Sequence, residues 1–135
     1  MALWLFKQEP ACYAIADLRR DGTTVWDGIS NSLALKNLGQ VRRDDRVFFY
    51  HTGKEKAIVG EMRIVADPHT EAANDKAVVV EVAFVRELAR SVTLAEIKSD
   101  KRLAGWDLIR LPRLSVLPVS AAQWQRVEEL SEKDG

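Results

Sequence analysis

The chain has 135 residues, 47% hydrophobic and 30% charged, and its 20 basic residues balance 20 acidic ones. It can therefore bury a substantial core, while zero net charge excludes attachment to DNA or RNA mainly through counterion release from a dense basic surface. One cysteine, Cys12, excludes an internal disulfide and a cysteine-rich metal centre, and no stretch approaches the roughly 20 apolar residues of a membrane span.

Met1–Phe6 is apolar but too short for a secretion signal, and Lys7 and Glu9 follow at once. A single cytoplasmic domain over residues 1–135 is expected, with no membrane partner, metal or cofactor. Leu3–Lys7 reads as a buried strand ended by Pro10. Tyr13–Arg20 is a short helical turn with Ile15 and Leu18 on one side, closed by Asp21-Gly22. Ser32–Leu38 is a second helix, with Leu35 and Leu38 facing inward and Gly39 as its stop.

Arg46–His51 alternates as a strand, Val47, Phe49 and His51 on one face and Phe48 and Tyr50 on the other. After the Thr52-Gly53-Lys54 turn, Ala57–Ala66 completes a hairpin. Asp67–Lys76 is polar and contains Pro68, which predicts a loop, and Ala77–Arg86 is a valine-rich strand. Thr93-Leu94-Ala95-Glu96 and Ser120-Ala121-Ala122-Gln123 are capping-box patterns that open helices. The second of those helices carries Trp124, Val127 and Leu130 on one stripe, and Leu114–Leu117 before it is a short strand. The order implies an α+β fold: a mainly antiparallel curved sheet or small barrel with short inserted helices.

The run Trp26-Asp27-Gly28-Ile29-Ser30-Asn31 stands out. It gathers an indole, a carboxylate and short hydrogen-bonding groups, a set suited to gripping a flat polar ligand such as a nucleobase; the alternative is a turn in which Trp26 anchors the core. His51 has two readings, a satisfied structural histidine or a hydrogen-bond donor at a pocket rim. His69 in the polar loop reads as solvated, and neither histidine has metal-ligand spacing. No phosphate-binding glycine loop or serine nucleophile elbow occurs. Lys7, Glu9, Asp27 and His51 are a weak acid/base set. Arg42, Arg43 and Arg46, offset by Asp44 and Asp45, read as a solvated turn. Arg110 and Arg113 flank Pro112 as candidates for touching phosphate, and Trp106 and Trp124 read as core.

Together these motifs resemble the EVE domain family of the PUA-like superfamily. The resemblance is carried by Trp4-Leu5-Phe6-Lys7-Gln8-Glu9-Pro10, the Trp26–Asn31 run, Phe49-Tyr50-His51-Thr52-Gly53, Ile58-Val59-Gly60, Thr93–Lys98 and Pro112–Val119, in family order along the chain. It implies a PUA-like, mainly antiparallel mixed β-barrel with short helices, a C-terminal helix and a pocket on one side, related to the YTH and SRA domains that hold a flipped modified base. The implied function is non-catalytic recognition of a modified nucleobase, modified cytosine among them, in DNA, in RNA or as a free nucleotide. The pocket would form around Trp26 and Asn31 with Ile29 and Ser30, joined by Lys7, Gln8 and Glu9 and by His51 and Thr52, with Arg113 beside it.

The chain departs from the family pattern at Gln8, where many members carry Ser, and at Ile29-Ser30-Asn31-Ser32, where many carry Val-Arg-Asn-Tyr. The lost arginine and tyrosine imply a base reader that holds the polymer lightly. The alternative function is a small hydrolase of modified nucleosides that uses Lys7 and a carboxylate, Glu9 or Asp27, around a water or Thr52.

Overall fold

The computed structural model describes residues 2–132 apart from 28, 30, 72 and 73. At its centre lie β1 (Leu3–Gln8) and β3 (Arg46–His51), paired in parallel from Leu3 opposite Arg46 to Gln8 opposite His51. Both are apolar on two faces because both faces are covered: Leu5, Phe6, Phe48 and Phe49 have no exposed surface. β4 (Ala57–Ile64) is antiparallel to β3, and β6 (Asn74–Thr93) is antiparallel to β4. β2 (Thr23–Trp26) pairs with β6, and β7 (Val116–Pro118) pairs with β1. The strand order β2-β6-β4-β3-β1-β7 is a mixed sheet curled into a half-barrel, with β2 and β7 at its open edges.

Bulges produce the curl. The β4 register shifts between Ile58 and Gly60 and again between Glu61 and Met62, and each extra residue bends the strand. Gly60 stands at this bend, where a Cβ would lie 2.7 Å from Ile15 Cδ1 and 2.9 Å from the Arg86 carbonyl. Only glycine lets helix and strand close over that point.

Short helices connect the strands: α1 (Ile15–Asp21), α2 (Ser32–Leu38), α3 (Leu94–Ser99) and α4 (Asp107–Arg110), followed by the C-terminal α5 (Ala121–Ser131). Both capping boxes form as the sequence predicts, Thr93 accepting from Glu96 N and Ser120 from Gln123 N. Neighbouring residues on β3 serve opposite layers. Phe49 meets Trp26 edge-on at 5.4 Å, while Phe48 stacks on Trp124 of α5 at 3.6 Å.

Three expectations change. Residues in the predicted Asp67–Lys76 loop instead form β5 (His69–Glu71) and the start of β6, so His69 is a strand residue opposite Val79. Polar composition misled here because an edge hairpin buries little. β6 runs on past Arg86 to Thr93. In α2 the inward pair is Ala34 and Leu38, with Leu35 half-buried, because the four-residue spacing matches a helical turn better.

The arginine-aspartate run is not a simple solvated turn. Arg46 makes two hydrogen bonds to buried Glu61, which also binds Arg86. Asp45 is buried and accepts from Ala2 N, Trp4 Nε1 and Arg42 N at 2.9–3.0 Å, tying the start of β1 to the approach to β3. Asp45→Ala leaves a buried indole N–H without a partner, so stability falls by at least about 1–3 kcal/mol in urea denaturation followed by tryptophan fluorescence.

Candidate functional site

The sequence-selected residues do not converge on one cavity; the described residues distribute them over three neighbouring concavities. The division starts at the end of β1. Successive strand residues point to opposite sides, so Lys7 sits beside its register partner Tyr50, whereas Gln8 lies on the side of His51.

The first concavity is a cleft of about 300 Å³ lined by Lys7, Tyr50, Thr52, Gly53, Lys56, Leu94, Lys98, Leu108 and Pro112. Lys7 Nζ donates to the Pro112 carbonyl at 2.9 Å and lies 5.5 Å from the Tyr50 ring centroid. Burial disfavours the ammonium and lowers its pKa to about 8, and burial of the neighbouring phenol raises that of Tyr50 to about 12. The β3–β4 turn forms the rim. Gly53 takes φ +76° and Lys56 φ +46°, a left-handed conformation uncommon for a side-chain-bearing residue. Leu94 N donates to the Lys56 carbonyl at 2.8 Å and fastens the turn to α3. Thr52 Oγ1 donates to Glu9 Oε2 at 3.3 Å, and a Cβ on Gly53 would come within 2.8 Å of that same oxygen. Glycine therefore makes room for the carboxylate.

Across Pro112 lies a second groove of about 290 Å³, lined by Asn31, Leu33, Arg110, Leu111, Arg113 and Leu114. Asn31 caps α2, its Oδ1 accepting from Ala34 N at 3.0 Å, which leaves its amide N–H₂ for other use. Arg113 is exposed, whereas Arg110 lies 3.8 Å from Asp107.

The third cavity, about 360 Å³, is bounded by Gln8, Cys12, Tyr13, Thr24, Val25, Trp26 and Asp27. Trp26 contributes little open surface. It is 3% exposed, packed 5.5 Å from Phe6 and 5.4 Å from Phe49 between ring centroids, so it is a floor and not an open stacking platform. Gln8 Oε1 accepts from Glu9 N at 3.1 Å, leaving Nε2 to donate. Ile29 is half-buried against the core, and Gly28 and Ser30 lie outside the described residues.

His51 is committed to structure. Its Nε2 accepts from Ile15 N at 3.1 Å, supplying the start of α1 with the partner that Ala14 cannot provide. The proton therefore resides on Nδ1, 2.7 Å from Glu55 Oε1. With both nitrogens used in a buried ring, His51 is not a rim donor. The weak acid/base set divides likewise: Lys7 and Glu9 flank the first cleft, while Asp27 bounds the third cavity. Sequence reasoning missed Tyr50, Lys56 and Lys98 in the cleft and Tyr13 and Thr24 in the cavity. Tyr50 and Lys98 stand inside motifs that carry the family resemblance, which could have marked them, whereas Lys56, Tyr13 and Thr24 lie outside those motifs.

Lys7 should be identifiable by its titration. Its folded pKa of about 8 lies below the ordinary lysine value of 10.5, so between those values the unfolded chain holds more protons and stability rises with pH through this group. The burial penalty is fully present below about pH 8; above pH 10 Tyr50, whose pKa is raised to about 12, acts in the opposite sense. In side-chain NMR the Lys7 Cε resonance is expected to titrate near pH 8, and titration near the ordinary lysine value of 10.5 refutes the burial argument.

Comparison with known proteins completes the description of the site. The EVE domain family model matches residues 2–130. Human (Homo sapiens) thymocyte nuclear protein 1 is 31% identical over 167 residues, covering 97% of this chain and 74% of that protein. Rpa0253 from Rhodopseudomonas palustris, solved by NMR, superposes with a TM-score of 0.92 at 33% identity, covering 97% of this chain and 93% of its own. Human THYN1 protein, crystallised in complex with 5-methylcytosine containing DNA, superposes with a TM-score of 0.92 at 29% identity over 100% of each chain.

Proposed function

The chain belongs to the EVE domain family, and from that premise we propose that it is a non-catalytic module that reads a modified cytosine in DNA. The observation that carries this reading is the polar cavity bounded by Trp26, where Gln8, Thr24 and Asp27 offer both donors and an acceptor around a buried aromatic floor. A cytosine edge presents the matching set: an N4 amine that a carboxylate accepts, and N3 and O2 acceptors. Asp27 receives the amine, Gln8 Nε2 donates to the ring, and the exposed Val25 side chain gives the 5-methyl group an apolar contact. The human THYN1 complex with 5-methylcytosine containing DNA supports the ligand class.

The base enters by leaving its stack, at a cost of a few kcal/mol. Because Trp26 is almost fully buried, hydrogen bonds in the cavity supply more of the compensation than stacking does. Asn31 and Arg113, in the groove beyond Pro112, contact the flanking strand through the free Asn31 amide and the exposed guanidinium.

One observation favours hydrolysis as a second reading. Lys7, with its lowered pKa, shares a cleft with Thr52, whose hydroxyl is bonded to Glu9. We assign a binding role because the family match and the human THYN1 complex with 5-methylcytosine containing DNA support a base-binding module.

Fluorescence anisotropy tests the reading with a labelled duplex carrying one 5-methylcytosine and with its unmodified counterpart. The methylated duplex is expected to bind more tightly, and Asp27→Ala should weaken both duplexes by about 1–3 kcal/mol, since both bases carry the N4 amine. Equal affinity of the two duplexes refutes base reading. Release of cytidine from N4-acylated cytidines, lost in Lys7→Met, would replace the binding reading with the hydrolytic one.

A further inference from the structure

We propose that the cleft at the end of β1 is a phosphate-binding subsite, built from Lys7, Lys56 and Lys98 with the Thr52–Gly53 turn between them. These ammonium groups come from β1, from the β3–β4 turn and from α3, and they line one concavity of about 300 Å³. No carboxylate residue is among its lining groups; the nearby Glu9 carboxylate is bonded to the Thr52 hydroxyl behind Gly53. Among the described residues every ion pair is made by an arginine, and none by a lysine. Eight arginines are thus paired among the described residues, whereas no ion pair there engages Lys7, Lys56 or Lys98.

The chemistry of this arrangement selects a compact, multiply charged anion. Lysine ammonium groups act as point charges and bind phosphate without the planar match that arginine needs. Lys7 is already oriented by the Pro112 carbonyl and the Tyr50 ring, so less side-chain freedom is lost when an anion arrives. Lys56, in a left-handed backbone conformation, is fastened to the start of α3 through Leu94 N, which joins the turn to the helix that carries Lys98. An ammonium partly withdrawn from water interacts more strongly with an anion than an exposed one does.

The phosphate is either a backbone diester of a bound strand or a terminal monoester. The inference rests on the base-reading proposal only for the nucleotide that carries the phosphate; the charge of the cleft is independent of it. Lys56 and Lys98 are exposed, so Lys56→Gln and Lys98→Gln test the cleft without disturbing the core, and thermal melting checks the fold.

The probes are inorganic phosphate and single-stranded oligonucleotides carrying one 5-methylcytosine, with either a 5′-phosphate or a 5′-hydroxyl. Phosphate at millimolar concentration is expected to shift the amide resonances of Thr52 and Gly53, and each variant to weaken that shift. For the oligonucleotides, each variant should reduce the slope of log affinity against log salt by about 0.7 per lost contact. If this reduction is the same with and without the 5′-phosphate, the ligand is a backbone diester; if it requires the 5′-phosphate, it is a terminal monoester. Unshifted Thr52 and Gly53 amides, with unchanged affinity and slope in both variants, overturn the proposal. Equal binding of methylated and unmethylated strands, with the lysine effects intact, refutes base reading and leaves the phosphate site standing.

Discussion

The two-residue period of a β-strand, applied where β1 ends against β3, organises the functional surface. In the parallel register Lys7 faces Tyr50 and Gln8 faces His51. One residue step thus divides the half-barrel into a lysine-lined cleft on one side and a polar cavity over Trp26 on the other. A slip by a single residue would exchange the two side chains and bring Lys7 towards the aromatic layer. Covering both faces of β1 and β3 makes that slip costly, because Leu5, Phe6, Phe48 and Phe49 would all lose their packing.

Several groups that look like recognition chemistry are consumed in holding this frame. Trp26 packs against Phe6 and Phe49, His51 supplies the missing cap of α1, and the Asn31 side-chain carbonyl caps α2. These commitments fix the walls of the concavities in place, which lowers the ordering cost of any ligand that enters. Gly53 belongs to the same logic, since its missing side chain lets the Glu9 carboxylate sit under the turn beside Thr52.

Charge shows the same division of labour. A net charge of zero suggests an electrostatically bland surface, yet the arginine pairs, such as Arg46 and Arg86 on Glu61, are internal cross-links. The lysines make no such pairs among the described residues, and several of them border one cleft. A balanced composition can therefore present a locally cationic surface while keeping little long-range field.

Short-range features were legible in the sequence. The capping boxes at Thr93 and Ser120, the stop at Gly22, the alternation of β3 and the core roles of Trp106 and Trp124 follow from residues a few positions apart, whose interactions form inside one element. Family motifs extended this to the whole fold, and the family match over residues 2–130 agrees with them. The loop expected at Asp67–Lys76 failed because polar composition does not separate an edge hairpin from a loop.

The site was legible only as a set of candidates. Sequence marked Lys7, Gln8, Trp26, Asn31, Thr52 and Arg113, but which of them share a cavity depended on strand register, on the β4 bulges and on the turn that fastens Lys56 to α3. Lys98 entered the cleft and His51 left the pocket rim for the same reason. Their surroundings come from distant segments, and no local pattern encodes the approach of elements that meet only after the sheet has curled.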